Sequence, residues 1–231
     1  MYRTLQSHFA FFSQVRTQFA TTGAIAPSSR FLAAAMTRFL AVRNTQIPVR
    51  ILEIGPGTAP VTNRILQLLS PDDQLHLVEL NPDFVKLIQT RFHSEANWAK
   101  AHHQTTIHQL PLQQFQSEEP FDFIISSLPL NNFSATVVDE LVHAYFNLLR
   151  DGGTLSYFEY MYVRPIRKGL TRGAEQQRIT HIEHRLAEQY RATGVQRDNV
   201  WLNLPPAWVQ HHRKSEVTAQ ELQTNKVLVN A

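Results

Sequence analysis

The run Glu53-Ile54-Gly55-Pro56-Gly57-Thr58-Ala59 decides how this chain is built. Ahead of it, Val49 to Ile54 is a short apolar stretch; beyond it, Val61 to Leu69 repeats apolar residues at helical spacing. A strand therefore turns sharply into a helix. Glycine at 55 and 57 lets the backbone approach a ligand where a Cβ would stand in the way. A Gly-x-Gly pair alone describes an ordinary tight turn equally well. Two carboxylates separate the readings: Glu53 stands just before the turn, and Glu79 closes the next apolar run, Leu75 to Leu80. An acid at the end of the second strand is placed to accept both hydroxyl protons of a ribose, so the ligand reads as a nucleoside.

Working outward, strand and helix patterns alternate. Asn81-Pro82 opens a helix that runs through Phe92, Thr105 to His108 is a weak strand, and Phe121 to Ser126 a clear one. Ser134 to Leu149 is helical and ends at Asp151-Gly152-Gly153, after which Thr154 to Met161 is rich in β-formers. Such alternation specifies a parallel sheet with helices on both faces. Arg164 to Thr193 is a polar connection with a helix from Glu175; Val200 to Leu204 and Trp208 to His212 then read as an antiparallel closing pair around Pro205-Pro206. The fold class is α/β, a doubly wound, mostly parallel, seven-stranded Rossmann-like sheet. Before it, Leu5, Phe9, Phe12 and Phe19 recur at helical spacing as an amphipathic helix, and a second helix spans Phe31 to Val42. The expected division is an N-terminal helical extension over 1–47 and the main domain over 48–231.

With 231 residues and 43% hydrophobic side chains, one sizeable core is affordable and two full domains would be cramped. The chain has no cysteine, which excludes disulfides, thiolate zinc sites and thiol nucleophiles. No apolar run reaches the roughly 20 residues that cross a bilayer, and the start lacks a secretory signal's layout; the expected location is the cytoplasm, peripheral to the inner face of the cell membrane. Net charge is only +3, but its distribution is uneven. Before Glu53 there is no acid, while Arg3, Arg16, Arg30, Arg38, Arg43 and Arg50 all fall in that stretch. A segment of one sign seeks an anionic surface, either lipid or nucleic-acid phosphate. The histidines have no metal-ligand spacing, since His102-His103 and His211-His212 are adjacent pairs whose side chains diverge on a strand; no metal is expected.

Departures from a dinucleotide fingerprint select the nucleoside. Ala59-Pro60 replaces the third glycine, and no phosphate-cradling Lys-Ser/Thr follows. The Glu-x-Gly-x-Gly-Thr run resembles the first motif of S-adenosylmethionine methyltransferases, and a cationic sulfonium favours an acidic pocket over a phosphate nest. Over nearly the whole chain the resemblance is to bacterial phospholipid N-methyltransferases, relatives of the rRNA adenine dimethyltransferases. It rests on Gly23 to Arg30, Leu52 to Thr58, Val78 to Phe84, Ser126-Ser127-Leu128-Pro129-Leu130 and Asn203-Leu204-Pro205-Pro206-Ala207. The resemblance implies that S-adenosylmethionine is held by Glu53, Gly55, Pro56, Gly57, Thr58, Glu79 and Leu80, with S-adenosylhomocysteine as product. It also implies that Ser127 to Leu130 lines the methyl-transfer site. Where such enzymes have Gly-Asp-Ala, this chain reads His108-Gln109-Leu110, and Gln109 becomes the candidate partner of the adenine amino group.

The acceptor is read from the residues after the fourth strand. Adenine-N6 enzymes place an aromatic after the proline so that a flipped base can stack; here the residue is Leu130. The leading expectation is N-methylation of the amine of phosphatidylethanolamine and its mono- and dimethyl forms, toward phosphatidylcholine. Ornithine-lipid and nucleic-acid adenine methylation are the alternatives, and a non-catalytic membrane-binding protein is disfavoured by the intact glycine and glutamate set. Candidate catalytic residues are Ser127, Leu128, Pro129, Asn131, Glu159 and Tyr160. Candidate substrate contacts are Phe9, Phe12, Arg16, Tyr157, Arg164 and Arg167, the arginines suited to a lipid phosphate. Expected partners are the phospholipid substrate and an anionic membrane surface, without nucleic acid.

Overall fold

The computed structural model describes residues 29–161, 169 and 172–216. It contains the seven-stranded sheet that the sequence leads one to expect, in the order β3-β2-β1-β4-β5-β7-β6. The strands are β1 (Arg50–Ile54), β2 (Gln74–Val78), β3 (Thr105–His108), β4 (Phe121–Ser126), β5 (Leu149–Tyr160), β6 (Gly194–Val200) and β7 (Ala207–Arg213). β1 to β5 pair in parallel, and β7 runs antiparallel to both neighbours. The helices are α1 (Arg30–Met36), α2 (Arg38–Ala41), α3 (Pro60–Leu66), α4 (Pro82–Ser94), α5 (Ala96–Lys100), α6 (Ala135–Leu148) and α7 (Ala174–Thr193).

Strand alternation sorts the core into two layers. Leu52 and Ile54 of β1 join Val138, Leu141 and Tyr145 of α6 and Ile182 and Leu186 of α7 on one face. Ile51 joins Leu32, Met36, Val61 and Ile65 of α1 and α3 on the other. Within the expected N-terminal extension, α1 is thus a layer of the main fold. Ser29 caps it by accepting from Leu32 N–H at 3.2 Å; the amide of Ser29 itself donates to Asn203 Oδ1 at 3.0 Å, across the molecule.

Two boundaries differ from expectation. The sixth strand is Gly194–Val200, not Val200 to Leu204. Residues 201–206 instead form the turn of the β6–β7 hairpin, with a cis Leu204-Pro205 bond. β6 is an edge strand whose residues alternate between half-buried and exposed, so its sequence is polar. The apolar Trp201, Leu202 and Leu204 lie on the exposed turn. The fifth strand also starts earlier, at Leu149, because Asp151-Gly152-Gly153 is absorbed into it where the β4–β5 register shifts.

The arginines before Glu53 do not act as one free basic face. Arg38 pairs with Asp198 at 2.7 Å, Arg43 with the buried Asp73, and Arg50 with Glu119 at 3.4 Å. Arg30 lies over the Phe31 ring at 4.8 Å. Arg3 and Arg16 are outside the described residues.

Candidate active site

The chain runs outward from β1 through β2 to β3, then returns to place β4 on the other side of β1. The helices that follow β1 and β4 therefore pack on opposite faces of the sheet and leave a crevice at the carboxyl ends of the strands. Gly55 (φ 68) and Gly57 (φ 60) both take left-handed conformations there. Ala59 does so too, at φ 65, as the residue that caps α3, although no glycine marks the position in the sequence. A Cβ on Gly55 would meet Leu128 Cδ2 at 2.5 Å, so the glycine lets the loop after β4 close against the turn after β1. Ser127 N–H donates to Ile54 C=O at 2.8 Å, tying those loops together.

Glu79 is buried and organises the turn. Its Oε2 accepts from Gly57 N–H at 3.0 Å and its Oε1 from Asn81 N–H at 2.9 Å, while its own N–H donates to His108 C=O at 3.1 Å. The second carboxylate, Glu53, is wholly buried among the apolar residues of β1. Burial pushes its pKa from 4.5 to about 8; Thr62 of α3 draws it partly back, and the charge of Glu79 pushes it further up. Neither Glu53 carboxyl oxygen makes a hydrogen bond of ordinary geometry among the described residues, nor does the Thr62 hydroxyl.

The cleft beside the glycine turn opens to solvent and spans about 460 Å³ of free space, the open mouth included. Gly55, Glu79, Leu80 and Leu128 line it. Its remaining walls come from Leu110 to Gln113 and from Val137 and Leu141 of α6, which sequence reasoning missed. Gln109 is exposed just past β3, and Gln113 is the glutamine on the cleft wall. Ser126 Oγ bonds the buried Tyr145 hydroxyl at 2.8 Å, which anchors the base of the 127–131 loop. Ser127 Oγ and Asn131 Oδ1 are buried atoms with no hydrogen-bond partner among the described residues. Leu130 is buried in the core and Pro129 half-buried.

Tyr157 lies in the core with its ring stacked on His212, centroids 5.3 Å apart. Tyr160 faces the opposite layer and meets Phe158 edge-on at 5.1 Å, as alternation requires of residues three apart. Glu159, one position before it, is buried. Phe9, Phe12, Arg16, Arg164 and Arg167 lie outside the described residues. Among the described residues no group of three or more histidines and acids could hold a metal ion.

Comparison with known proteins adds the chemistry. Residues 52–155, which run from β1 through Leu155 of β5, match the family model described as a methyltransferase domain. Over those residues the chain is similar to a methyltransferase domain. The cofactor of such a domain is S-adenosylmethionine, leaving S-adenosylhomocysteine as product. The residues fit: two buried carboxylates suit a cation, the glycine turn admits close approach, and no lysine-bearing phosphate loop competes. An ornithine lipid N-methyltransferase from Singulisphaera acidiphila is 27% identical over 157 residues, covering 68% of this chain and 80% of that protein. Among solved structures, the N-methyltransferase NodS from Bradyrhizobium japonicum, in complex with S-adenosylhomocysteine, superposes with a TM-score of 0.56 at 20% identity. That match covers 80% of this chain and 88% of NodS. The glycopeptide N-methyltransferase MtfA gives 0.57 at 12% identity, with 79% and 90% covered. At these identities the structures speak for the fold.

Proposed function

We propose that the protein methylates the amine head group of a membrane lipid with S-adenosylmethionine as donor. The observation that carries this reading is the composition of the acceptor edge. The position after Pro129 holds Leu130, 1% exposed, and the next aromatic, Phe133, is also buried, so the loop offers a flipped adenine no platform. In its place stand two buried oxygens, Ser127 Oγ and Asn131 Oδ1, whose hydrogen-bonding capacity is unused by the described chain. An amine can donate to both. The lipid relative supports the same substrate class, with ornithine lipid and phosphatidylethanolamine as the two candidates.

In this mechanism the donor supplies an electrophilic methyl. The chain's part is alignment and desolvation: Glu79 holds the turn through Gly57 and Asn81, while Ser127 and Asn131 orient the nitrogen lone pair along the transfer axis. The attacking nitrogen must be neutral. An alkylammonium titrates near pH 10.4, so a buried site that strips water from the ammonium eases loss of its proton. Glu159, at the end of β5 on the face of Tyr157, is the group through which that proton would leave. Residues 1–28 and the Arg164 to Arg172 connection then serve as contacts to an anionic leaflet, and the protein works peripherally on the inner face of the membrane.

Labelled S-adenosylmethionine tests this when it is offered together with vesicles of phosphatidylethanolamine, vesicles containing ornithine lipid, or rRNA. Label in a lipid extract supports the reading and ranks the two amines. Label only in RNA overturns it.

A further inference from the structure

The β6–β7 turn carries an apolar cluster that neither the sheet nor the cofactor cleft explains. Trp201 is 60%, Leu202 69% and Leu204 72% exposed. Single exposed apolar residues need no explanation, but three within four positions, one of them tryptophan, do. Phe31, 40% exposed in the first turn of α1, stands close by, because Ser29 N–H is bonded to Asn203 Oδ1.

The turn is also built to hold these side chains outward. Asn203 lies between them and is 3% exposed. Its Oδ1 takes the Ser29 amide, and its Nδ2 donates to Pro205 C=O at 2.7 Å. Pro206 C=O in turn accepts from Met161 N–H at 2.8 Å. The tip is thereby clasped to the end of β5 and the start of α1. Val200 and Ala207 are partners in the β6–β7 ladder, and Tyr160 pairs with Ala207. The turn therefore projects from the sheet edge where β5 ends, the edge that also carries the glycine turn and the cleft.

We propose that this tip is an interfacial anchor: Trp201, Leu202 and Leu204, with Phe31 beside them, enter the head-group and acyl boundary of an anionic bilayer and turn the cofactor edge toward it. The inference rests on the lipid-amine reading above and adds a surface to it. Tryptophan favours that boundary, and leucines gain by leaving water there. Charge agrees. Arg30 is exposed at the head of α1. The sequence entering Ser29 has no acid from its start, and that leaving Met161 carries Arg164, Arg167, Lys168 and Arg172 before the next acid, Glu175. Segments of that charge, joined to the chain at Ser29 and Met161, are attracted to an anionic leaflet, and a second copy of this chain would bring the same positive charges against them.

The test uses the full-length protein and the double variant Trp201→Ser/Leu202→Ser, which changes only exposed side chains, with Trp201→Phe as a conservative control. Co-sedimentation is measured on vesicles of equal parts phosphatidylglycerol and phosphatidylcholine, which contain no methylatable amine. Calorimetry with S-adenosylhomocysteine reports the cleft. The expected result is at least tenfold weaker vesicle binding by the double variant, substantial recovery with phenylalanine, and unchanged affinity for S-adenosylhomocysteine. Equal vesicle binding by wild type and double variant overturns the proposal. So does a loss of self-association in sedimentation velocity without a change in vesicle binding, which would mark a face between copies. If the tip variants lose vesicle binding while no lipid accepts label, the anchor stands and the substrate reading falls.

Discussion

Replacing Glu53 by glutamine should stabilise the protein without ligand while weakening its hold on the cofactor, and the stability gain should depend on pH. In the folded chain the Glu53 carboxyl is pushed from 4.5 to about 8, mainly because burial withdraws water from its charged form. A raised pKa means that folding incurs no penalty below about pH 4.5, where both states are protonated. The penalty grows as pH rises, because the unfolded chain ionises and the folded one does not; it levels off above about pH 8. At 1.36 kcal/mol per pH unit, the penalty at pH 7 is about 3 kcal/mol. Glutamine has nearly the same shape and no charge, so Glu53→Gln should raise the melting temperature by about 6–12 °C at pH 7 for a chain of this size. Melting both proteins from pH 4.5 to 8.5 checks this through their difference, in which every other titrating group cancels. The difference should be near zero at the acid end and largest at pH 8. A constant difference, or a less stable variant at pH 8, refutes the reasoning. A sulfonium cation should favour the ionised form, so S-adenosylmethionine binding at pH 7 should release a proton and glutamine should weaken it.

Other outcomes rest on the same geometry. Glu79→Ala removes the acceptor of both Gly57 N–H and Asn81 N–H, at about 1–3 kcal/mol for each donor left buried; calorimetry should find S-adenosylhomocysteine binding abolished while circular dichroism shows the sheet retained. Gly55→Val should weaken that binding at least tenfold, because φ 68 is unfavourable for valine and its Cβ would meet Leu128 at 2.5 Å; near-normal affinity would remove the turn from the site. His76 and His212 are both pushed down from 6.5 to about 4, mainly by burial. A depressed pKa means that the unfolded chain takes up protons first. Compared by urea unfolding, wild type and His212→Phe should therefore differ by a constant amount above pH 6.5, and wild type should lose stability relative to the variant as pH drops from 6.5 toward 4. Deleting residues 1–19 should weaken co-sedimentation with anionic vesicles in a salt-sensitive way, since Arg3 and Arg16 are screened by salt and the phenylalanines are not.

What was legible in the sequence was whatever is encoded locally. Gly55, Gly57, Glu53 and Glu79 mark the turn because a close backbone approach and a strand-end acid leave few residue choices, and strands β1 to β5 announce themselves as apolar runs between turn residues. Residues brought together by the fold were not legible. Val137 and Leu141 look like ordinary core positions of an amphipathic helix, and only the packing of α6 over β1 makes them cleft walls. The left-handed Ala59 carries no glycine to signal it. The basic stretch before Glu53 looks uniformly cationic until Asp73, Glu119 and Asp198 arrive from later segments to neutralise three of its arginines. Polar β6 and the apolar turn after it reverse the usual cue, because an edge strand is half in water and this turn keeps its leucines outside. Gln113 lies on the cleft wall and Gln109 in solvent because the chain past β3 runs along the cleft from Leu110 to Gln113, a path no local signal marks.

The most direct test of the central reading is mass analysis of the lipid product. Purified protein is incubated with S-adenosylmethionine and vesicles carrying either phosphatidylethanolamine or ornithine lipid, and the lipids are extracted and fragmented. The expected result is a mass gain of one methylene per transfer, located on the amine head group and absent with Glu79→Ala. An unmodified amine in both lipids, with the methyl found on added rRNA adenine, would contradict it.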